Sequence, residues 1–362
     1  MNLYYVINIS ILFFLLIEIR EKSKLYSMFI YYLYLLLFLF LGTFRWQTGT
    51  DWNSYMSLFM DNNSIHDFFI DGYAYEKGYV LLNWGVKYLG GSYSNFLFVG
   101  TLINIFCFHA VAKKLFSERL VFALFLFFSV FMGGIFVTRQ LLAASICFFS
   151  IIYIVERKIF PFTILIVFAS LLHVSAIVFF FAYYIYNCRI SVKQFIILFF
   201  VTLIVSYFLN SFFSTIVSSL SANSRIGTKL LIYTTGEQEL GYSSLIMGII
   251  KRVVLLPLFF YTEQKWQKQN SEIFSGMFNI YLLGTLLYFL FALSGFKEFV
   301  RISSYFQLIE IPLFYYTYTN LKKKWILLLI IPFCFMKIFS AIGMYYNLYV
   351  PFYLIFENPN RM

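Results

Sequence analysis

Between Arg119 and Glu156 the chain runs 36 residues, LVFALFLFFSVFMGGIFVTRQLLAASICFFSIIYIV, with Arg139 as the only charge. One bilayer-spanning helix needs about 20 apolar residues, so this run is too long for one span and just long enough for two short ones. An arginine at the bilayer centre costs roughly 2.5–3.5 kcal/mol on insertion scales, so chains rarely keep one there without a use for it. The Gly133-Gly134 pair before it offers a break where the chain can turn. The expectation is a helical hairpin with Arg139 at its tip, at a membrane face or in a protein-lined cavity.

The rest of the chain repeats this pattern. Hydrophobic residues make up 61% of 362 and charged residues 12%, with a mean hydropathy of +0.80. A soluble domain carries about 25% charged residues, so the chain reads as a polytopic membrane protein. The net charge of +11 has no basic run interleaved with a soluble fold, so it points to cytoplasmic loops and not to nucleic acid. Cys107, Cys147, Cys188 and Cys334 lie in or beside apolar stretches without C-x-x-C spacing and read as buried small hydrophobes. The three histidines are far apart, and no H-E-x-x-H, P-loop or G-x-G-x-x-G string occurs, so no metal and no cofactor is expected. The first segment lacks a basic n-region and a cleavage site and reads as an uncleaved helix.

Apolar runs fall at about 2–17, 25–43, 94–112, 120–136, 138–155, 160–172, 174–187, 194–213, 244–262, 273–293, 303–320 and 325–345. With residue 1 outside, the odd junctions (EIREKSK, KKLFSER, ERK, CRISVK, EQKWQKQNSE and KKK) are cytoplasmic. They hold 15 of the 27 Lys and Arg residues, as the positive-inside rule requires. Residues 159–187 are too few for two full spans. Two short helices in a shallow or re-entrant hairpin, with His173 near the turn, keep the charge pattern; non-helical backbone at that depth must be covered by protein or line a wet cavity. Two outer loops of substance remain, about 44–93 and 213–243, and segment 78–89 within the first reads as an interfacial helix. The predicted fold class is all-α, a single polytopic membrane domain over 1–362 with about 12 helices or half-helices.

A short set of charges lies away from the cytoplasmic side: Arg45, Asp51, Glu76 and Lys77 in the first outer loop, and Arg139-Gln140 and His173 at the two hairpin tips. Lys251 and Arg252 sit inside the ninth run, Arg301 opens the eleventh, Glu310 lies within it, and Lys337 is midway along the last. Each has a bland reading. Arg45 can be an interfacial anchor; Lys251, Arg252, Glu310 and Lys337 can neutralise one another inside the bundle; His173 can be a hydrogen-bonded core residue. Arg139 and Arg301 are harder to dismiss. Several basic groups on one side with few nearby acids call for an anionic ligand, and arginine forks match phosphate oxygens bidentately. A lipid diphosphate headgroup would satisfy that field.

The strings RWQTGTDWNSYMSLF (45–59), YEKGYVLLN (75–83), TRQLLAASI (138–146), LLHVSAIV (171–178) and RISSYFQLIEIP (301–312) resemble the signature blocks of the EpsG-like Wzy polymerases, and they occur in order. The resemblance implies a bacterial inner-membrane glycosyltransferase with a periplasmic N-terminus and a site facing the periplasm. Its donor would be a glycan on undecaprenyl diphosphate, moved onto another lipid-linked repeat unit to build O-antigen, capsule or exopolysaccharide. A chain-length-regulating membrane partner and the surrounding lipids would be its other contacts.

On that reading Arg139 and Arg301, supported by Arg45, offset the charge building on the leaving diphosphate. Asp51, His173 or Glu76 takes the proton of the attacking sugar hydroxyl, with Asp51 and His173 ranked first. Gln140, Lys251 and Arg252 are supporting residues. Gly49 and Thr50 would let backbone approach the substrate, and Tyr305, four residues after Arg301, would share its helix face. The rivals are a flippase or transporter for the same lipid-linked unit, expected to show internal repeats, and an O-antigen ligase or membrane acyltransferase.

Overall fold

A computed structural model describes residues 2–21, 23–61, 64, 66, 75–116, 119–219, 242–266, 271–294 and 297–357. The second outer loop expected at 213–243 lies mostly outside them. The α-helices, in chain order, are α1 (Leu3–Glu21), α2 (Lys24–Phe44), α3 (Trp52–Asp61), α4 (Lys77–Tyr88), α5 (Tyr93–Leu115), α6 (Leu120–Phe131), α7 (Arg139–Val155) and α8 (Ile159–Leu172). Then come α9 (Phe181–Ile185), α10 (Val192–Ser219), α11 (Tyr242–Lys265), α12 (Ser271–Ala292), α13 (Glu310–Leu321), α14 (Lys324–Gly343) and α15 (Tyr346–Tyr349). The two-residue strands β1 (Arg45–Trp46) and β2 (Tyr353–Leu354) pair antiparallel, and 3-10 segments cover Val174–Phe180 and Lys297–Ile309. The chain forms two compact units, residues Met1–Phe180 with Glu310–Met362, and residues Phe181–Ile309.

Among the described residues six helices are long and apolar enough to cross a membrane: α1, α2, α5, Val192–Leu209 of α10, Glu272–Ala292 of α12, and α14. The protein is thus an all-α polytopic membrane protein. Leu120–Gly134, Arg139–Val155, Ile159–Leu172 and Val174–Ile185 are apolar but shorter. In α1, the apolar residues Val6, Ile9, Phe13 and Leu16 are exposed at helical spacing, while Asn8 and Glu18 are buried. That inverts the soluble pattern and suits a helix with lipid on one side and a polar-studded bundle on the other.

In the first unit α6 is the central helix. Ten of its twelve residues are buried, as befits a helix apolar all round. At 1.5 Å per residue it is only about 18 Å long, short of a full span. Its N-terminus is capped from a distance: the Val121 and Phe122 amides donate to the two carboxylate oxygens of Glu18 at 3.0 and 3.1 Å. Ser27 also donates to Glu18. Glu18 was expected in the first cytoplasmic junction; it belongs instead to the buried face of α1, 2% exposed, because its carboxylate satisfies amides that α6 cannot pair internally.

At its other end α6 stops where Met132 turns left-handed, φ 50°, followed by Gly133 at φ 66° and Gly134 at φ 71°. A Cβ on Gly133 would meet the Phe38 ring at 2.8 Å. The next residues, Ile135–Val137, are buried yet non-helical. Asn104 of α5 supports the turn, its amide donating to the Gly134 and Phe136 carbonyls at 2.9 and 3.4 Å; Ser145 donates to its carbonyl oxygen at 2.7 Å. The expected break and hairpin tip are therefore present, with Arg139 as the first residue of α7. The far end of α7 is tied to α5 by Glu156, which pairs with Lys114 at 2.6 Å and with Lys158 at 2.8 Å. Hydrogen bonds from these two lysines hold the Glu156 carboxyl below the usual carboxylate range.

The stretch 159–187 begins with α8 and reaches His173, extended at φ −155°, ψ 114°. Its second half is a 3-10 segment running into the short α9, so the expected pair of short helices is half α and half 3-10. Cys188, beyond α9, is exposed and not buried, because it falls in the polar CRISVK junction; Cys107, Cys147 and Cys334 are buried as expected.

In the second unit α12 packs against α9, α10, α11 and the Lys297–Ile309 segment. Gly284 lets Phe306 lie against α12, since a Cβ there would meet the Phe306 Cβ at 2.3 Å. Asn279 of α12 donates to the Tyr186 carbonyl at 3.3 Å and to that of Cys188, closing the turn after α9.

Candidate active site

Thr138 caps α7, its hydroxyl accepting from the Leu141 amide at 3.3 Å, which leaves Arg139 in the first helical turn. A cation there opposes the helix dipole, which favours anions at this end and cations at the other, each by about 0.3–1 kcal/mol. The positive end of α7 and the guanidinium therefore add their fields at one spot. Glu76 answers both. It is the N-cap residue of α4, in extended conformation, yet its side chain makes no capping hydrogen bond to α4. Instead one carboxylate oxygen accepts from Arg139 Nη1, and the other accepts from the Val174 amide at 3.4 Å. Both side chains of the ion pair keep some exposure, 23% for Arg139 and 19% for Glu76.

Aromatic rings complete the setting. The guanidinium lies over the Tyr75 ring at 4.6 Å and the Tyr55 ring at 5.9 Å. Its Nε is buried and has no acceptor among the described residues. Val174 follows His173, so Glu76 brings the two hairpin tips together. His173 Nδ1 is 2.7 Å from the Ser175 hydroxyl and its carbonyl accepts from the Ala176 amide, which fixes the imidazole at the start of the 3-10 segment. Gln140 is half-buried next to Arg139. Asp51 is exposed at the entrance to α3, its carbonyl accepting from the Tyr55 amide at 3.0 Å.

Arg45 opens the loop that leads into α3. It is 3% exposed, with its guanidinium 4.9 Å from both the Trp52 and Phe136 ring centroids, and Nη1 donates to the Thr48 carbonyl. Its fork is held inside the protein and tied to the backbone of its own loop. Gly49 explains the same loop: at φ 101° it takes a left-handed conformation, and a Cβ would meet the Phe136 ring at 2.9 Å. The close backbone approach is thus to Phe136. The C-terminal segment clamps the loop from the other side. The Gly49 amide donates to the Leu348 carbonyl at 2.6 Å, the Tyr353 amide donates to Thr48 Oγ1 at 3.2 Å, and β1 pairs Arg45 with Leu354 and Trp46 with Tyr353.

Arg301 and Tyr305 belong to the second unit and to the 3-10 segment Lys297–Ile309, not to an α-helix. At three residues per turn, positions four apart do not share a face. Accordingly Arg301 is exposed and Tyr305 is fully buried, and the Arg301 carbonyl accepts from Ser304 Oγ at 2.6 Å. Lys251 and Arg252 are buried in α11; Arg252 stacks 3.4 Å from the Tyr288 ring centroid and donates to the Gly248 carbonyl at 2.8 Å. In the first unit Glu310 and Lys337 pair at 3.4 Å. Among the described residues no group of three His, Cys, Asp or Glu side chains is placed to hold a metal ion.

Sequence reasoning missed Tyr55, Tyr75 and Tyr79. Tyr79 is fully buried, 5.4 Å from the Tyr55 ring, and its hydroxyl has no hydrogen-bond partner among the described residues. The available signal was the clustering of tyrosines around Asp51 and Glu76, which a chain with 30 tyrosines hides.

Residues 28–354 match the EpsG family. No curated protein and no solved structure shows a significant match to the chain.

Proposed function

The chain belongs to the EpsG family, a family of polysaccharide-polymerase-type membrane glycosyltransferases, and on that premise we propose that it acts as a Wzy-type polymerase. It joins lipid-diphosphate-linked oligosaccharide repeat units on the outer, periplasmic face of a bacterial inner membrane. The observation that supports this reading is Arg139. It stands at the positive end of α7 and pairs with Glu76, whose other carboxylate oxygen accepts from the amide of Val174, the residue after His173.

The chemistry follows from the charges. The acceptor sugar hydroxyl attacks the anomeric carbon of the donor and forms the new C–O bond. The C–O bond to the diphosphate breaks with its electron pair, and the added negative charge spreads over phosphate oxygens. Arg139 and the α7 N-terminus, fixed in advance, stabilise that charge. The hydroxyl proton passes to a carboxylate or to neutral imidazole; the candidates are Glu76, which pairs with Arg139, His173, which precedes Val174, and Asp51, whose carbonyl accepts from the Tyr55 amide. A positioned base contributes roughly 10²–10⁴-fold. Undecaprenyl diphosphate as carrier and O-antigen as product are the setting proposed here, with capsule or exopolysaccharide as the variants.

The test is the polysaccharide profile of a null strain carrying the wild-type gene or the Arg139→Ala variant. Polymerase loss leaves single repeat units on the lipid core. Ligase loss leaves none on it, and flippase loss strands units on the cytoplasmic side. A null strain of either of the last two kinds overturns the proposal.

A further inference from the structure

Resting on that functional reading, we infer that Glu76 holds the place of the substrate's anionic oxygens, and that a lipid diphosphate binds by displacing it from Arg139. Three features of the site carry this. An N-cap side chain ordinarily accepts from its own helix, and acidic residues there are stabilising. Glu76 forgoes that bond and spans to donors of two other elements, Arg139 Nη1 and the Val174 amide. These donors, one cationic and one a backbone N–H, together with the N-terminus of α7, form the kind of set that binds phosphate oxygens.

The pair is also only partly buried, with both side chains near one-fifth exposed. The carboxylate can therefore leave without exposing a core, unlike the Glu310 carboxylate, which is 1% exposed beside Lys337. The guanidinium meanwhile stays seated on Tyr55 and Tyr75, and its buried Nε has no acceptor among the described residues. A diphosphate has more acceptor oxygens than a carboxylate, so the exchange satisfies more of the fork. It also frees a carboxylate beside His173 when the donor arrives and returns it when the diphosphate leaves. Arg139 is thus never left as an uncompensated cation in an apolar setting.

The experiment measures binding of polyprenyl diphosphate, polyprenyl monophosphate and inorganic pyrophosphate to the full chain in nanodiscs. Wild type, Glu76→Gln, Arg139→Ala and the double variant Glu76→Gln/Arg139→Ala are compared. Removing the competing charge while keeping an acceptor for Val174 is expected to tighten polyprenyl diphosphate binding about tenfold or more, the factor that one charge-assisted hydrogen bond is worth. The double variant is expected to lose the gain. Pyrophosphate tightening in parallel shows that the phosphate group is what exchanges; tightening of the lipid forms alone shows that the prenyl chain is also read.

Unchanged or weaker binding by a folded Glu76→Gln protein overturns the inference. If the wild type binds none of the three probes, or Arg139→Ala alone binds as well as wild type, the functional reading itself fails. Should Glu76→Gln not accumulate, Glu76→Asp is read in its place. Its shorter reach weakens the competing pair, tighter binding is expected, and unchanged or weaker binding again overturns the inference.

Discussion

The Glu76 carboxylate closes an ion pair with the Arg139 guanidinium across 63 residues of sequence, joining the N-cap of α4 to the first turn of α7. Arg139 thus begins a helix whose dipole disfavours it, and is held there by an acid that gives up its own capping role. Such an arrangement is poor for stability and well suited to an anionic ligand.

Replacing Arg139 by lysine keeps the charge and removes the fork. Lysine offers a point charge where a diphosphate presents several oxygens. The expected outcome is a normal protein level with long-chain polysaccharide reduced by about tenfold or more, the cost of one charge-assisted hydrogen bond, scored on a gel from a complemented null strain. Wild-type chain lengths would remove bidentate recognition from the account.

Arg45→Ala is expected to act on folding. It leaves the Thr48 carbonyl without its donor and removes two cation–π contacts, at Trp52 and Phe136. Together these are worth about 2–4 kcal/mol. Protein accumulation and Tm in detergent are the readouts. Normal levels with no polymer would instead put Arg45 on the substrate.

Glu18→Ala removes the remote cap of α6. Two amides of its first turn and the Ser27 hydroxyl lose their acceptor, a cost of about 1–3 kcal/mol. Tm should fall, while polymer made per folded molecule stays at the wild-type level, because Glu18 and Arg139 serve opposite ends of the α6–α7 hairpin.

Lys337→Met removes the cation that pairs with the buried Glu310 carboxylate, 1% exposed, in the first unit. Breaking a buried pair from one side costs about 3–5 kcal/mol, and replacing both partners costs much less. Lys337→Met/Glu310→Gln should therefore be more stable than Lys337→Met. Additive losses in a double-mutant cycle would show that the pair is uncoupled.

Much of the scaffold was legible in residue order. The 36-residue apolar run could be folded only as two short helices, and Gly133-Gly134 supplied the left-handed turn that ends α6. The polar blocks around Arg139, His173 and Glu76 were visible as charges in costly places. Their pairing was not, because nothing local ties Glu76 to residues 63 and 98 positions away. The clamp of the C-terminal segment on Gly49 was equally hidden, since two-residue strands carry no periodicity. RISSYFQLI reads as an α-helix because no Gly or Pro interrupts it; its 3-10 form puts Arg301 and Tyr305 on different faces. Glu18 looked like part of a cytoplasmic junction because its partners, Val121 and Phe122, are backbone amides, which leave no trace in side-chain patterns.

The most direct measurement is polymerisation by the purified protein in nanodiscs, supplied with lipid-diphosphate-linked repeat units and no other enzyme. The account predicts a glycan ladder from the wild type, with one lipid diphosphate released per linkage formed. It predicts only single units from a folded Arg139→Ala variant. A ladder from Arg139→Ala, or linkage without release of lipid diphosphate, would contradict it.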